Sequence, residues 1–297
     1  MVGKQERRYQ RMITVVLALI SLIMVIPLVL LMVASFTSNN EIVLHGYSFF
    51  PKELSLEAYR YIWNERAQVF HAYGITILVT AIGTTIGVMM TLLYAYVLAH
   101  EKFPGKTFLA FYLFFTMLFN GGLVPTYIMY TRYLHMKNTI PALIIPGLLM
   151  SAFNVILTRT YIQSNVPAAL SEAAKIDGAT EFQVFRKVVL PMCKPIIATV
   201  GLFAGLGYWN DWTNGLYYIT DTNKFSIQQL LNNMIKNIEF LSKNANSNIN
   251  LASVGGGIPQ ETVRMAIAIV GLLPILIVFP FVQKYFVKGI SIGAVKG

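Results

Sequence analysis

From Met12 to Ala34 the chain runs for 23 residues without a charged side chain. Wound as an α-helix, that run is about 34 Å long at ~1.5 Å per residue, enough to cross the roughly 30 Å of hydrocarbon in a bilayer. Lipid offers no partner for an exposed peptide group, so the run can cross only as a helix. Five more apolar runs follow, and the six expected spans lie at approximately 12–35, 74–99, 108–130, 140–160, 196–219 and 264–283. Composition points the same way, with 56% hydrophobic and only 12% charged residues, where soluble domains carry about a quarter. The expected class is therefore an all-α integral membrane protein, one transmembrane domain over 1–297 with the lipid bilayer as its first partner. The first run follows Lys4, Arg7, Arg8 and Arg11, the pattern of a secretory signal. Its apolar length exceeds the usual core of such a signal and no convincing small-residue cleavage site follows, so it is read as a retained helix.

With the N-terminal segment 1–11 inside, 14 of the 23 Lys and Arg residues fall on the inner loops and flanks, together with five of the 13 acidic residues. The inner face then carries +9 and the outer face +1, the basic asymmetry that orients membrane proteins. The overall charge of +10 is thus topological, and no nucleic-acid partner is expected. The same orientation puts the loop 161–195 and the tail 284–297 in the cytoplasm. Cys193, the one cysteine, cannot form an internal disulfide and reads as a small packing residue.

Within that loop, Ser171 to Lys194 is a polar interruption between apolar runs. Ser171 to Ile176 are mostly good helix formers, and Asp177-Gly178 supplies a break that tolerates positive φ. An amphipathic run follows, with Phe182, Phe185, Val188 and Val189 at helical spacing until Pro191 and Pro195 force a kink or a stop. The expectation is a helix, a turn and a helix exposed between spans.

Glu172-Ala173-Ala174, three residues, Gly178, nine residues, Val188, one residue, then Leu190-Pro191 resembles the EAA loop of binding-protein-dependent ABC importer permeases; Ile is usual where this chain has Val188. The resemblance implies a type I ABC importer transmembrane fold of six helices in the cytoplasmic (inner) membrane of a prokaryote, with both termini cytoplasmic. It implies that the loop is a coupling helix seated in a cleft of an ATP-hydrolysing subunit, contacted through Glu172, Ala173, Ala174, Gly178, Leu190 and Pro191. The implied partners are a second homologous permease, two ATP-binding subunits and an extracytoplasmic solute-binding protein. ATP and Mg would be bound by the partner subunits. This chain has no nucleotide site of its own to expect: Gly105-Lys106-Thr107 looks like the end of a P-loop, but His100 stands where its first glycine belongs and no strand precedes it.

Two polar interruptions are candidates for the transport path. The fifth span ends in Tyr208-Trp209-Asn210-Asp211-Trp212, where Asp211 is a costly carboxylate unless it faces protein or water. Aromatic faces beside amide and carboxylate groups suit a sugar, whose C–H face stacks while its hydroxyls take hydrogen bonds. The other reading is a Trp pair at the outer headgroups, with Asp211 bonded to a helix end. The third span is broken by Asn120-Gly121-Gly122 and Pro125-Thr126-Tyr127, and freed backbone groups at that depth need a neighbouring helix or a water-lined cavity. Asn120 and Tyr127 therefore join the path candidates. The Trp209-Asn210-Asp211 segment and the FNGGLVPTYI stretch also resemble carbohydrate importer permeases, the latter those of complex oligo- and polysaccharide uptake. The implied function is ATP-driven import of a carbohydrate, an oligosaccharide or complex glycan fragment, by alternating access, with the chain itself no enzyme.

Elsewhere the expectations are modest. Gly83/Gly87 and Gly201/Gly205 are GxxxG pairs that let helix backbones approach closely. The fourth span, with Pro146-Gly147, Asn154 and Arg159, needs no special role. Outside, a short helix capped by Ser55 and another over Gln228 to Phe240 are expected, the latter followed by an asparagine-rich stretch to Gly257 suited to docking an external protein. An importer of a non-sugar solute would share the loop but leave the Trp209-Asn210-Asp211 segment unexplained. An ion-coupled transporter would need more intramembrane ionisable groups than Asp211. An intramembrane enzyme is a poor reading, because His45, His71, His100 and His135 show no ligand spacing.

Overall fold

The computed structural model describes residues 4–100, 103–245 and 260–294. The expectations for the asparagine-rich stretch and for the end of the tail fall largely on 246–259 and 295–297 and lie outside the described residues. In chain order the helices are α1 (Lys4–Ser35), α2 (Asn39–His45), α3 (Glu57–Asn64), α4 (Arg66–Ala99), α5 (Lys106–Leu118) and α6 (Leu123–Ile128), which runs on as a π-turn over Met129–Tyr133. Then come α7 (Pro141–Ile144), α8 (Ala152–Asn165), α9 (Ala168–Ile176), α10 (Glu181–Met192), α11 (Lys194–Trp209), α12 (Thr213–Tyr218), α13 (Ile227–Ala245) and α14 (Gln260–Ala294). Among the described residues there is no strand, only an isolated bridge between Thr37 and Leu54.

Three of these helices are long and apolar enough to cross a bilayer singly: Arg8–Ser35, Arg66–Ala99 and Gln260–Val278. Two bent pairs each add a crossing if counted as one: α5 with the α6 segment, at 115°, and α10 with α11, at 80°. The expected third span is thus divided where Asn120, Gly121 and Gly122 leave the helix, Gly122 at φ +82. The expected fourth span is not one helix but α7, a non-helical stretch and α8. Pro146 and Gly147, the latter at φ +71, break it, and the 14 residues of α8 measure only about 21 Å. The apolar window of α1 has none of its residues buried inside the chain, so that stretch turns its apolar side chains outward, and burial begins toward the end of the helix at Ala34 and Ser35.

Two compact units divide the chain, one formed by 1–69 and 231–274, the other by 70–230 and 275–297. In the first, Phe36 stacks on Tyr59 with centroids 4.7 Å apart, and Ser35 shares a hydrogen bond of 2.8 Å with the Tyr59 hydroxyl. Arg264 bridges Glu261 at 3.2 Å and Glu239 at 3.5 Å. α3 begins at Glu57, two residues after the expected cap, and Ser55 Oγ accepts the Glu57 N–H at 3.2 Å.

In the second unit both GxxxG pairs do what small residues do in lipid: they bring helices together where side chains would hold them apart. Gly83 of α4 lies directly beneath the Tyr208 ring, and a Cβ at Gly205 of α11 would sit 3.6 Å from Thr84 Oγ1. Gly87 faces the Leu149 carbonyl, 2.7 Å from where its own Cβ would be. A core of Leu92, Leu98, Leu113, Val155, Phe185, Val189, Cys193, Ile196 and Val200 then gathers α4, α5, α8, α10 and α11.

Candidate functional site

The loop between α8 and α11 is built by local rules. Pro167, fixed at φ −61, opens α9, and the alanine-rich run carries it to Ile176. Gly178 at φ +84 ends it: the Gly178 N–H donates to the Lys175 carbonyl at 3.0 Å and the Ala179 N–H to the Ala174 carbonyl at 2.9 Å, a Schellman stop. Two residues later Thr180 and Gln183 form a capping box, with the Thr180 N–H donating to Gln183 Oε1 at 2.8 Å. The helix, turn and helix of the sequence reading are present.

Of the six residues singled out in this loop, Glu172, Ala173, Gly178 and Pro191 are exposed, while Ala174 and Leu190 are half-buried against the core cluster. The loop thus offers one face outward and anchors the other. Ile176 and Phe182 stand on either side of Gly178, 86% and 66% exposed, as apolar side chains on a polar loop. Glu181 Oε2 accepts the Tyr96 hydroxyl at 2.9 Å and faces His100 Nε2 at 3.7 Å, and Oε1 pairs with Lys175. The Lys175 bond, followed by that of Tyr96 and the charges of Lys175 and His100, holds the Glu181 carboxyl below its ordinary pKa.

The fifth-span cluster is divided between packing and exposure. Tyr208 is buried, and its hydroxyl donates to the Ile144 carbonyl at 2.9 Å. Asp211 Oδ1 accepts the N–H groups of Thr213 at 3.1 Å and Asn214 at 3.3 Å, closing the N-terminus of α12. Asn214 in turn donates to the Pro146 carbonyl at 2.9 Å. Asn210 and Trp212 are exposed, and Trp209, half-buried, lies with its ring 6.3 Å from that of Tyr73. Asn120 folds onto its own turn by accepting the Gly122 N–H at 2.9 Å, and Tyr127 stacks on Tyr218 at 5.9 Å. Tyr208 and Asp211 therefore serve the helix junction, the Asn210 amide donates to the Leu206 carbonyl at 3.0 Å, and Asn210 and Trp212 keep exposed surface.

A cavity of about 370 Å³ opens in the second unit between Gly87 and Thr91 of α4, Gly147, Leu148, Leu149 and Ser151, Phe153 and Asn154 of α8, and Val200, Phe203, Ala204 and Gly207 of α11. Its size is at the lower end of small-ligand pockets. Non-helical backbone at membrane depth is tolerated where it lines such a space. The fourth span, expected to need no special role, supplies most of the polar wall.

Residues 83–292 match the family described as binding-protein-dependent transport system inner membrane component. The chain belongs to that permease family. Over 293 residues the permease is 35% identical to the polygalacturonan/rhamnogalacturonan transport system permease protein YtcP of Bacillus subtilis (strain 168), covering 99% of this chain and all of that one. It is 26% identical over 290 residues to the arabinooligosaccharides transport system permease protein AraQ of Halalkalibacterium halodurans, covering 96% of each. Among solved structures it resembles a chain from a bacterial ABC transporter involved in the import of the acidic polysaccharide alginate, at a TM-score of 0.75 and 27% identity over 96% of this permease and 99% of that chain. The type I importer fold and the carbohydrate-importer kinship read from the motifs both hold.

Sequence reasoning about the permease missed Ile176 and Phe182, although an apolar residue on either side of an exposed Asp-Gly turn was a usable signal. It also missed Thr91, Ser151 and Asn154. Ser151 and Asn154 follow a Pro-Gly break in an apolar run, which is the trace a cavity wall leaves in sequence.

Proposed function

We propose that this permease is the membrane subunit of an ATP-driven importer for a carbohydrate, an oligosaccharide or complex glycan fragment handed over by an extracytoplasmic binding protein. The observation that carries the reading is the full-length similarity to permeases whose names specify polygalacturonan/rhamnogalacturonan and arabinooligosaccharides, and to a chain of an alginate importer. The partners are a second homologous permease and two ATP-binding subunits, which hold ATP and Mg. Both termini and the α9–α10 loop lie in the cytoplasm, as the basic asymmetry of the chain favours.

In this reading Glu172, Ala173, Ala174 and Gly178 form the contact with the ATPase. Glu172 makes charge-assisted bonds, the alanines and glycine let backbones come close, and Ile176 and Phe182 fill apolar recesses on either side. Closure of the ATPase subunits displaces the loop. Because Leu190 and Ala174 are seated in a close-packed core that also holds the inner parts of α4, α5, α8 and α11, the displacement is passed on as a rigid-body movement. The cavity beside Thr91, Ser151 and Asn154, with Trp209, Asn210 and Trp212, forms part of the solute path, hydroxyl and amide groups taking sugar hydroxyls and rings taking its C–H faces.

The test is co-purification from native membrane, followed by ATPase assay with a panel of binding proteins loaded with oligosaccharides. A second permease and an ATPase that come down together, with turnover raised by one glycan, bear the reading out. A chain that purifies without any nucleotide-hydrolysing partner in several mild detergents overturns it.

A further inference from the structure

The Glu181 side chain joins α10 to two other segments through polar contacts. The residue opens α10, and its two carboxylate oxygens reach back to Lys175 on α9 and up to Tyr96 and His100 at the inner end of α4. The Tyr96 ring lies between His100, edge-on at 4.6 Å, and Phe185, tilted at 5.2 Å, so its hydroxyl cannot swing away without disturbing both. The Glu181 and Lys175 side chains are 61% and 38% exposed. Exposed ion pairs add little to stability, so this arrangement is a poor explanation of why the fold holds together. It is a good explanation of how two helices keep a fixed distance. The apolar contact of Phe185 with Tyr96 can slide, whereas a hydrogen bond is directional and sets one position.

We propose that Glu181 is the joint that passes displacement of the coupling loop to the inner end of α4, with Lys175 and Tyr96 as its two arms. The proposal rests on the coupling reading of the loop. It assigns Glu181 a positioning role, apart from the exposed face that meets the ATPase. α4 is also the helix whose Gly87 and Thr91 line the cavity, so the joint ties the loop to one wall of the solute path.

The experiment uses the assembled importer with its ATPase subunits in nanodiscs, carrying Cys193→Ala and Phe203→Cys, so that a maleimide reads access to the cavity. The probe is ATP with vanadate, and the signal is the change in labelling rate that it causes. Glu181→Ala is expected to keep ATPase binding and hydrolysis while the ATP-dependent change shrinks about fivefold or more, the lower end of ordinary coupling between sites. Tyr96→Phe, which removes one oxygen, should weaken the response in the same direction, and Glu181→Gln, which still accepts from Tyr96, should recover part of it. An undiminished response in Glu181→Ala overturns the joint; if that variant does not assemble, an undiminished response in Tyr96→Phe overturns it instead. A parent complex that retains no ATPase, or whose label ignores ATP, overturns the coupling reading itself.

Discussion

Gly83 lacks a side chain where the Tyr208 ring fills the space one would take. The ring cannot retreat easily, being buried and tied by its hydroxyl to the Ile144 carbonyl. Gly83→Val should therefore cost about 1–3 kcal/mol by overpacking, and Tyr208→Phe about 1 kcal/mol for the lost bond, both seen as earlier thermal inactivation in detergent. Trp212→Ala, at an exposed side chain, should leave that midpoint in place and lower sugar uptake; unchanged uptake would remove Trp212 from the path. At Gly178 the obstacle is conformational: a Cβ would meet open space, but the left-handed backbone costs an ordinary L-residue roughly 1–2 kcal/mol. Gly178→Leu should insert normally and abolish sugar-stimulated ATP hydrolysis, Gly178→Asn should do so only in part, and normal stimulation in the leucine variant would detach this turn from the ATPase.

Elements in this chain are fixed by their ends. Asn138, at φ +59, accepts the N–H groups of Thr220 at 2.6 Å and Asp221 at 3.1 Å and donates to Thr220 Oγ1 at 2.8 Å, so one side chain staples two loops 82 residues apart in sequence. Asn138→Gly keeps the backbone conformation but loses the staple, and the Thr220 and Asp221 amides should then exchange with solvent about tenfold faster or more. For α9 and α10 the link between Lys175 and Glu181 depends on a carboxylate whose pKa is lowered on folding. The contribution is present above the unfolded pKa and is lost as pH falls through the lowered folded one. Mild acidification within the range where carboxylates stay ionised should leave the loop unchanged by cross-linking between the two helices, and only stronger acid should loosen it. These ends also explain what was legible in the sequence. The α9 stop and the α10 start depend on Asp177-Gly178 and Thr180 with Gln183, all within a few residues, so local rules were enough. Pro146-Gly147 marks the departure from helix locally, but the packing of the Leu149 carbonyl against Gly87, 62 residues away, is carried by no local pattern. The burial of Tyr208 escaped because it is set by Gly83 and the Ile144 carbonyl, both distant in sequence, whereas the bonding of Asp211 to the start of α12 is local and was one of the two readings its sequence allowed.

At the scale of the whole permease, the described residues include three helices long and apolar enough to cross a bilayer and two bent pairs, and the bends fall where proline and glycine free the backbone. The cavity in the second unit, between α4, α8 and α11, should be sensitive to volume and polarity: Ser151→Leu or Asn154→Leu is expected to slow glycan uptake severalfold while the complex with its ATPase still forms, and full uptake would put the path elsewhere. The 80° bend at Cys193 has a mechanical consequence. α10 and α11 meet there as the two arms of a bell crank, with Val189, Cys193, Ile196 and Val200 filling the elbow. The 16 residues of α11 make an arm of about 24 Å, so a turn of about 10° at the elbow would carry its tip through about 4 Å. A push delivered across the short arm in the loop would thus emerge as a swing of the long one, amplified toward the end that carries Trp209.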